Sequence, residues 1–358
     1  MDKKSRVIRL GKYEIGGDNS PRLQTMITTP LSNIEKAKDE VMRVWNMGCP
    51  IVRSAIRSIS ELDALAELAD HFPGALIADI HYDYRLALGA LKTNVKGIRI
   101  NPGNIGGKER VAAIVEEAKK HPDVAIRIGV NAGSLEADIL KKYGGPTGEA
   151  LVESTLRWTN FFEKELNFFN FKVSAKSSSV TESVKACLAI REQSVVPIHA
   201  GITEAGGGRA GIIKSSAGMA ILFHHNVVDT FRVSLTASVE EELRVGFHIL
   251  KSMGKLNAGG EIISCPTCGR THGALFSFAR ELEQLFDEWE WWKRPTLKVA
   301  VMGCEVNGPG EAKDADIGMA LGHGSALYFE DGEVIKRFSS HREAFDALVE
   351  EIKSRWDI

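Results

Sequence analysis

The feature that most constrains the fold is a unit that recurs along about the first 250 residues: a short β-rich apolar run, a polar or glycine-containing loop, then an amphipathic stretch. The runs lie at 23–25, 50–54, 76–79, 97–100, 125–129, 169–174, 196–200 and 230–234. Apolar residues at helical spacing, as in 34–47 and 111–120, predict helices between the strands. Eight such units predict a closed (β/α)8 TIM-type barrel, an α/β fold. A doubly wound open sheet is the alternative, but no G-x-G-x-x-G follows the first run.

Length and composition indicate two domains in a soluble chain. The 358 residues exceed one compact core, and a glycine-containing stretch at 255–260 predicts a boundary between a barrel at 1–255 and a small α+β domain at 256–358. Lys plus Arg number 45 against 47 Asp plus Glu, so the net charge of −2 provides no overall positive potential that would bind nucleic acid. No stretch stays apolar for about 20 residues, and the N-terminus lacks an apolar leader, which predicts a cytoplasmic protein.

Polar side chains cluster where the predicted strands end. The candidates are Arg53, Asp79, His81, Arg99, Asn101, Arg127, Asn131, Lys172, Lys176, His199, Glu204, Arg232 and Ser234. The carboxyl ends of barrel strands converge on one mouth, so these side chains are expected to meet in space. Several arginines and lysines around one cavity favour an anion with phosphate oxygens, and a diphosphate is the expected ligand. A single cation at a strand end is more often a solvated charge or half of an ion pair; the repetition favours a site.

Three of the five cysteines lie in the second predicted domain, which indicates metal binding rather than cross-linking. Cys265 and Cys268 form a C-x2-C pair, and Cys304 follows a predicted strand at 297–302. The other two, Cys49 and Cys187, fall inside the barrel pattern and are interpreted as packed apolar residues.

Two kinds of metal site compete for these three cysteines. A structural zinc ion needs a fourth Cys or His, which His272 could supply. An iron–sulfur cluster could instead take the Glu311 carboxylate, because the Asn-Gly-Pro-Gly sequence at 307–310 folds the chain back. A hard oxygen ligand on one iron would be exchangeable, which a catalytic cluster needs. The alternative for Glu311 is a solvated turn residue.

Several blocks of the sequence resemble one enzyme family. In the second domain they are Cys265-Pro-Thr-Cys268 and Met302-Gly-Cys304-Glu-Val-Asn-Gly-Pro-Gly-Glu311-Ala. In the barrel they are 78–84, 99–106, 127–136, 203–206 and 232–235. The blocks resemble those of the (E)-4-hydroxy-3-methylbut-2-enyl diphosphate synthases, which act in the methylerythritol phosphate (MEP) route of isoprene biosynthesis. The resemblance runs from about Gln24 to Asp331, nearly the whole chain.

The resemblance implies a reaction and a site. The family uses two electrons to open the ring of 2-C-methyl-D-erythritol 2,4-cyclodiphosphate and expel a hydroxyl group as water, giving (E)-4-hydroxy-3-methylbut-2-enyl diphosphate. By motif, Cys265, Cys268, Cys304 and Glu311 would hold a [4Fe–4S] cluster. The substrate-binding residues would be Arg53, Arg99, Asn101, Arg127, Lys176, Arg232 and Ser234. Asp79, His81, Asn131 and Glu204 would lie near the reacting end of the substrate. Glu204 is the expected proton donor, with His81 as its partner or an alternate acid.

The resemblance also implies partners. Family members form head-to-tail homodimers in which the cluster domain of one subunit covers the barrel mouth of the other, and flavodoxin or ferredoxin delivers the electrons. The chain length predicts the compact two-domain form of the family, without a further inserted domain. One departure is Glu305, which follows Cys304 where the family usually has an apolar residue; its charge is expected to lower the cluster potential.

Two other classes of function remain as alternatives. A zinc-stapled barrel could act as a lyase or aldolase on a sugar phosphate and would need no reductant. An iron–sulfur sensor that binds nucleic acid would need a basic stripe, and the near-neutral net charge is evidence against it.

Overall fold

The computed structural model describes residues 3–305, 310 and 312–358, and the chain divides into two compact units, Met1–Lys255 and Leu256–Ile358. In the first unit, eight parallel strands form a barrel: β3 (Arg22–Met26), β4 (Ile51–Ala55), β5 (Ala75–Asp79), β6 (Gly97–Ile100), β7 (Ala125–Asn131), β8 (Phe171–Lys176), β9 (His199–Ala200) and β10 (Thr230–Phe231). The strand order is β8-β7-β6-β5-β4-β3-β10-β9. A bridge from Val173 to Ile198 joins β8 to the chain just before β9, so the barrel is nearly closed, as predicted.

Helices connect the strands on the outside of the barrel. They are α1 (Ile34–Asn46), α2 (Leu62–His71), α3 (Tyr84–Ala90), α4 (Pro102–Ile105), α5 (Lys108–Ala118), α6 (Ala137–Tyr143), α7 (Gly148–Asn160), α8 (Val180–Gln193), α9 (Gly208–His224) and α10 (Val239–Ser252). Their starts follow local capping chemistry: the Ser238 side chain accepts a hydrogen bond from the backbone N–H of Glu241 at the start of α10. Gly246 of α10 lies close against Leu23 of β3, where a Cβ atom would come within 2.7 Å.

The last two barrel strands are shorter than the sequence predicts. The apolar runs at 196–200 and 230–234 each contribute two ladder residues, in β9 and β10. After Ala200 the chain turns at Gly201, which has a φ of 146° and where a Cβ atom would lie 2.4 Å from the Arg232 carbonyl oxygen. This conformation suits glycine alone, and it ends the strand at the mouth of the barrel.

An N-terminal hairpin covers the amino end of the barrel. Strands β1 (Ile8–Leu10) and β2 (Tyr13–Ile15) pair antiparallel. Their buried residues pack against the starts of the barrel strands in one cluster of Ile8, Leu10, Ile15, Ile51, Ala75, Ile77 and Ala125. The hairpin therefore closes the amino end, and a ligand reaches the interior from the carboxyl end.

The second unit is built on a five-stranded sheet. Its strands are β11 (Gly260–Ser264), β12 (Leu297–Met302), β13 (Ile317–Leu321), β14 (Ala326–Glu330) and β15 (Glu333–Phe338), in that order. The first three are parallel, and β14 and β15 continue the sheet antiparallel through a turn at Asp331 and Gly332, as the Asp-Gly pair predicts. Helices α11 (Leu275–Glu288) and α12 (His341–Trp356) pack together through the rings of Phe278 and Phe345, 4.9 Å apart.

Candidate active site

The strand register places cationic side chains inside the barrel. Arg99 of β6 lies opposite Arg127 of β7, which lies opposite Lys172 of β8. Four residues further along, Asn131 and Lys176 are again opposite each other. Residues two apart on a strand share a face, so the second pair lies above the first, toward the carboxyl end. Arg99, Arg127 and Lys172 have exposed fractions of 6%, 2% and 1%, and their charges must be balanced inside the protein.

Asp79, at the end of β5, is the carboxylate that joins several of these groups. Its oxygens lie 3.2 Å from Nη1 of Arg99, 3.5 Å from Nε of Arg53 and 3.4 Å from Nε2 of His81. Burial alone would raise the pKa of Asp79, but Arg53, His81 and Arg99 outweigh burial and hold that pKa well below its usual range. Asp79 therefore stays ionised and orients two arginines.

Arg53, near the end of β4, also contacts sulfur. Its Nε and Nη2 atoms lie 3.2 Å and 3.0 Å from Sδ of Met26 on the neighbouring strand β3. Burial lowers the pKa of Arg53 to about 10, although the Asp79 charge opposes the change. The Arg53 side chain is thus fixed between a thioether and a carboxylate.

Arg232, which follows β10, is held by a residue of helix α10. Its Nε and Nη2 atoms donate to the Glu242 carboxylate at 3.0–3.1 Å, in the bidentate geometry that suits a guanidinium group. Glu242 also accepts the backbone N–H of Leu235 at 2.9 Å and the hydroxyl of Thr25 at 3.2 Å. One buried carboxylate therefore fixes Arg232 and the loop after it.

Arg127 and Lys176 lack such partners. Within the described residues, Nε and Nη1 of buried Arg127 have no acceptor, and Lys176 forms no ion pair although its exposed fraction is 9%. Burial, followed by the neighbouring arginines, lowers the pKa of both groups well below its usual value. Arginine keeps its proton in proteins, so the lowered pKa reflects a buried charge that is held at a free-energy cost, first from desolvation and then from repulsion by neighbouring arginines. An anion bound beside it would reduce that cost.

Asn101 and Asn131 serve the structure around the mouth. The Asn101 side chain accepts from the Gly103 N–H at 3.1 Å and donates to the Ser134 hydroxyl at 2.6 Å. In the amide orientation that satisfies both of its polar atoms, Asn131 accepts from Nη2 of Arg99 at 3.1 Å. Arg99 lies across Gly129, where a Cβ atom would meet its Nε at 2.6 Å. These contacts fix where the Arg99 guanidinium group can lie.

The residues expected near the reacting end are more exposed. His81 has an exposed side-chain fraction of 49% and contacts Asp79, while Ser234 is half-buried in the loop after β10. Glu204 is exposed and adopts a φ of 52°, an uncommon conformation for a residue other than glycine. Within the described residues, no hydrogen bond or ion pair joins Glu204 to the buried cations. Its expected role as proton donor stays a prediction.

In the second unit, the three predicted sulfur ligands follow two adjacent strands. Ser264 of β11 lies opposite Val301 of β12, so Cys265 and Cys304 leave the sheet at the same edge. The backbone N–H of Gly303 donates to Sγ of Cys265 at 3.2 Å, and that of Arg270 donates to Sγ of Cys268 at 3.4 Å. Cys304 is buried, Cys265 is half-buried and Cys268 is exposed. The backbone is thus arranged to stabilise thiolates, as at iron–sulfur sites.

The loop between these cysteines is tied back to β12. The His272 N–H donates to the Gly303 carbonyl at 2.8 Å, and the Cys268 N–H donates to the Thr271 hydroxyl at 3.0 Å. The His272 ring lies 5.5 Å from that of His323. In residues 3–305, 310 and 312–358, no three His, Cys, Asp or Glu side chains gather closely enough to hold one metal ion. The predicted fourth ligand, Glu311, lies outside the described residues.

Glu305 has a partner that the sequence did not indicate. Its Oε1 atom accepts from Nη1 of Arg337 on β15 at 2.6 Å and from the Ser325 hydroxyl at 3.1 Å. The negative charge beside Cys304 is therefore largely paired. This pairing reduces the effect on a cluster potential that the sequence predicts for Glu305 alone.

Each of the two units matches a domain of one known protein family. Residues 5–247 match the family model described as the GcpE TIM-barrel domain, and residues 261–354 match the GcpE protein C-terminal domain. The chain belongs to the GcpE family. Members of this family are iron–sulfur enzymes.

Curated relatives of this GcpE chain align over nearly all of it. A protein of Aquifex aeolicus is 47% identical and one of Persephonella marina 45%, each over 98% of this chain and 97% of its own length. A protein of Desulfotalea psychrophila is 43% identical over 99% of this chain and 97% of its own length. All three carry the name 4-hydroxy-3-methylbut-2-en-1-yl diphosphate synthase (flavodoxin). The family predicted from the sequence motifs is therefore confirmed.

Some residues of the GcpE site were not found from the sequence. Glu242 and Met26 hold Arg232 and Arg53, yet Glu242 lies in a run of three glutamates that resembles a solvated first turn of a helix.

Cys49 and Cys187 are buried, and burial raises the pKa of each thiol to about 12, in agreement with their interpretation as packing residues. Among the described helices, none combines the length and apolar character needed to cross a membrane.

Proposed function

We propose that this chain is a 4-hydroxy-3-methylbut-2-en-1-yl diphosphate synthase of the MEP pathway. It converts 2-C-methyl-D-erythritol 2,4-cyclodiphosphate, two electrons and one proton into (E)-4-hydroxy-3-methylbut-2-enyl diphosphate and water. Full-length relatives with this name support the activity. The observation in the structure that best supports the substrate class is the pair of buried cations, Arg127 and Lys176, without acceptors among the described residues.

The charge of the barrel interior fits a dianion. Six cationic side chains line the barrel interior. Asp79 forms ion pairs with Arg53 and Arg99, and Glu242 forms one with Arg232. The six are Arg53, Arg99, Arg127, Lys172, Lys176 and Arg232. A cyclic diphosphate carries two negative charges and only acceptor oxygens at its phosphorus atoms, so it can occupy the donors that the protein leaves unpaired.

The chain divides the work of substrate binding and proton transfer. Arg53, Arg99, Asn101, Arg127, Lys176, Arg232 and Ser234 bind the diphosphate. Asp79 and Asn131 orient Arg99, which fixes the substrate relative to the reacting carbon. Glu204 protonates the leaving hydroxyl group, with His81 as its hydrogen-bonding partner, and the exposed position of both residues lets solvent restore their protons.

The cysteine loops fit an iron–sulfur centre. Cys265, Cys268, Cys304 and Glu311 would hold a [4Fe–4S] cluster, and the two N–H to sulfur hydrogen bonds are of the kind that stabilise such thiolates. When bound there, the cluster would pass the two electrons of the reaction to the substrate. Flavodoxin, or alternatively ferredoxin, delivers them in the cytoplasm.

The direct test is anaerobic turnover of the cyclodiphosphate. With reduced flavodoxin, we expect the full-length protein to form hydroxymethylbutenyl diphosphate, identified by mass spectrometry, and to form none without a reductant. Conversion without reductant, or lyase products from sugar phosphates in its place, would contradict the proposal.

The active assembly is proposed to be a head-to-tail homodimer with the site shared between chains. Its test is subunit complementation: Arg127→Met lacks a substrate anchor, and Cys265→Ser lacks a sulfur ligand. If two chains share each site, subunit exchange between the two impaired variants forms heterodimers with one intact site, and at low substrate concentration the mixture becomes more active than either variant alone. If each chain carries a complete site, the mixture shows no gain over the separate variants.

A further inference from the structure

One buried cation of the barrel interior is not among the residues proposed to contact the substrate. Lys172, near the start of β8, donates from Nζ to the Thr230 hydroxyl at 3.1 Å, and that hydroxyl lies 3.0 Å from Nδ1 of His199. These three residues, here called the buried triad, come from β8, β10 and β9. Lys172 and His199 each have an exposed fraction of 1%, and Thr230 has none.

The triad lies below the substrate anchors. Lys172 and Lys176 are four residues apart on β8, about 13 Å along the strand, with their side chains on the same face. On one side of Lys172 lies its register partner Arg127, and on the other side Thr230 contacts Lys172. The triad is therefore a second polar layer, closed off from solvent and adjacent to the unpaired Arg127.

Several polar atoms around the triad have no partner within the described residues. Nδ1 of His199 lies 3.0 Å from the Thr230 hydroxyl, and Nε2 on the other side of the ring has no hydrogen-bond partner. Nε and Nη1 of Arg127 have no acceptor either. The Arg127 donors suit an anion above them.

No carboxylate forms an ion pair with Lys172 within the described residues. Arg127 on β7 and Arg53 on β4 repel its charge, and Asp229, just before β10, attracts it. Asp229 is itself paired with Arg191 at 2.7 Å. Burial, then Arg127 and Arg53, lower the pKa of Lys172 to about 7. In the free protein near pH 8, the amine is therefore mostly neutral.

We propose that Lys172, held by Thr230 and His199, is a positioning residue that takes up a proton when the cyclic diphosphate binds above it. The inference rests on the proposed function for the identity of the anion. A dianion at Arg127 and Lys176 offsets the repulsion that keeps the buried amine neutral, so binding and protonation of Lys172 favour each other. The proton comes from solvent, and no bond in the substrate changes in this step.

The pH dependence of this coupling has a definite sign. The bound anion raises the pKa of Lys172 from about 7 toward the ordinary lysine value of 10.5. The extra affinity is fully present below the free-state pKa and is lost as pH rises through the bound-state pKa. Each phosphorus of the cyclic diphosphate has a single acidic proton, lost well below pH 7, so the ligand does not titrate in this window. Binding should weaken by up to about tenfold per pH unit between pH 7 and pH 9.

The test counts protons by isothermal titration calorimetry. The cyclodiphosphate is titrated anaerobically into the oxidised full-length protein, which has no electrons for turnover, in two buffers of different ionisation enthalpy at pH 8. Lys172→Met and Lys172→Arg are compared with the wild type and with Lys214→Met, a change at an exposed lysine of α9. We expect the wild type and Lys214→Met to take up at least about half a proton more than either Lys172 variant.

The two Lys172 variants distinguish proton uptake coupled to substrate binding from a purely structural role of the side chain. Lys172→Arg keeps a charge that does not titrate, so its affinity should fall less steeply than that of the wild type between pH 7 and pH 9, with Lys176 still titrating in both proteins. A purely structural role of Lys172 would leave the wild-type slope. If Lys172→Met does not fold, Lys172→Arg carries the comparison. Equal proton uptake in wild type and Lys172→Arg would overturn the inference while leaving the function intact. Absence of binding to the wild type would overturn the proposed function together with the inference.

Discussion

The two units of this GcpE chain prepare their sites in opposite ways. In the barrel, Arg99, Arg127 and Lys172 occupy consecutive register positions on β6, β7 and β8, so the backbone ladder fixes the cations before any ligand binds. In the second unit, Cys265, Cys268 and Cys304 lie on loops after β11 and β12, held by a few N–H to sulfur hydrogen bonds. We propose that the barrel holds unfavourable charge that its ligand relieves, and that the cysteine loops take their final geometry from the ligand that they bind.

The largest effect is expected at the cysteines. Replacing Cys265, Cys268 or Cys304 singly by Ser should remove the visible absorption of the cluster and lower turnover at least about 100-fold, because outer-shell changes alone cost about 10- to 100-fold at metal sites. The matched control is Cys187→Ala, a buried barrel thiol, which should keep the absorption. Absorption spectra and iron content measure the outcome. A Cys268→Ser protein that retains its full absorption would show that this loop does not hold the cluster.

A smaller effect, of opposite sign for activity and stability, is expected in the barrel. Arg127→Met should weaken cyclodiphosphate binding about 10- to 100-fold by removing charge-assisted hydrogen bonds. It should also raise the thermal midpoint of the ligand-free protein, because an unpaired buried charge is replaced by an apolar side chain. Calorimetry and thermal melts provide both quantities.

Arg191→Met is the control for that change. Arg191 is also buried but pairs with Asp229 at 2.7 Å, so its loss leaves the buried Asp229 carboxylate without a cation and should destabilise the protein by about 3–5 kcal/mol. Cyclodiphosphate affinity should be unchanged below the melting range. If Arg127→Met destabilises the protein as much as Arg191→Met, the barrel does not store charge for its ligand.

The smallest effect is expected at Glu305. Because Arg337 pairs with it at 2.6 Å, Glu305→Val should raise the cluster potential by only about 20–40 mV, the electrical equivalent of a partly exposed ion pair. Arg337→Gln should lower the potential by a similar amount, and the double variant should lie near the wild-type value. Potentiometric titration followed by visible absorption measures all three. A shift of about 100 mV in Glu305→Val, or a double variant that does not compensate, would contradict the pairing.

The barrel could be predicted from the sequence because its units repeat and because strand ends converge in this fold. The predicted cations lie at or below the mouth, with Arg99, Arg127 and Lys176 buried and Arg53 partly buried. The N-terminal hairpin was missed because strands of three residues, Ile8–Leu10 and Tyr13–Ile15, give too little alternation to recognise. The spacing of polar residues also cannot show how β9 and β10 shorten around Gly201.

The partners of the site residues were less accessible to prediction. Glu242 lies in α10, more than a helical turn from any strand end, and only the fold brings it to Arg232. Arg337 reaches Glu305 across 32 positions of sequence. Chemistry carried by one segment, such as Cys265 and Cys268, can be recognised locally, whereas charge pairing between distant segments depends on register and packing.

The most direct test of the account is the content of the protein isolated without oxygen. The account predicts a brown protein with about four iron and four inorganic sulfide per chain, whose visible absorption bleaches with dithionite. A colourless protein that contains zinc and no inorganic sulfide would contradict it.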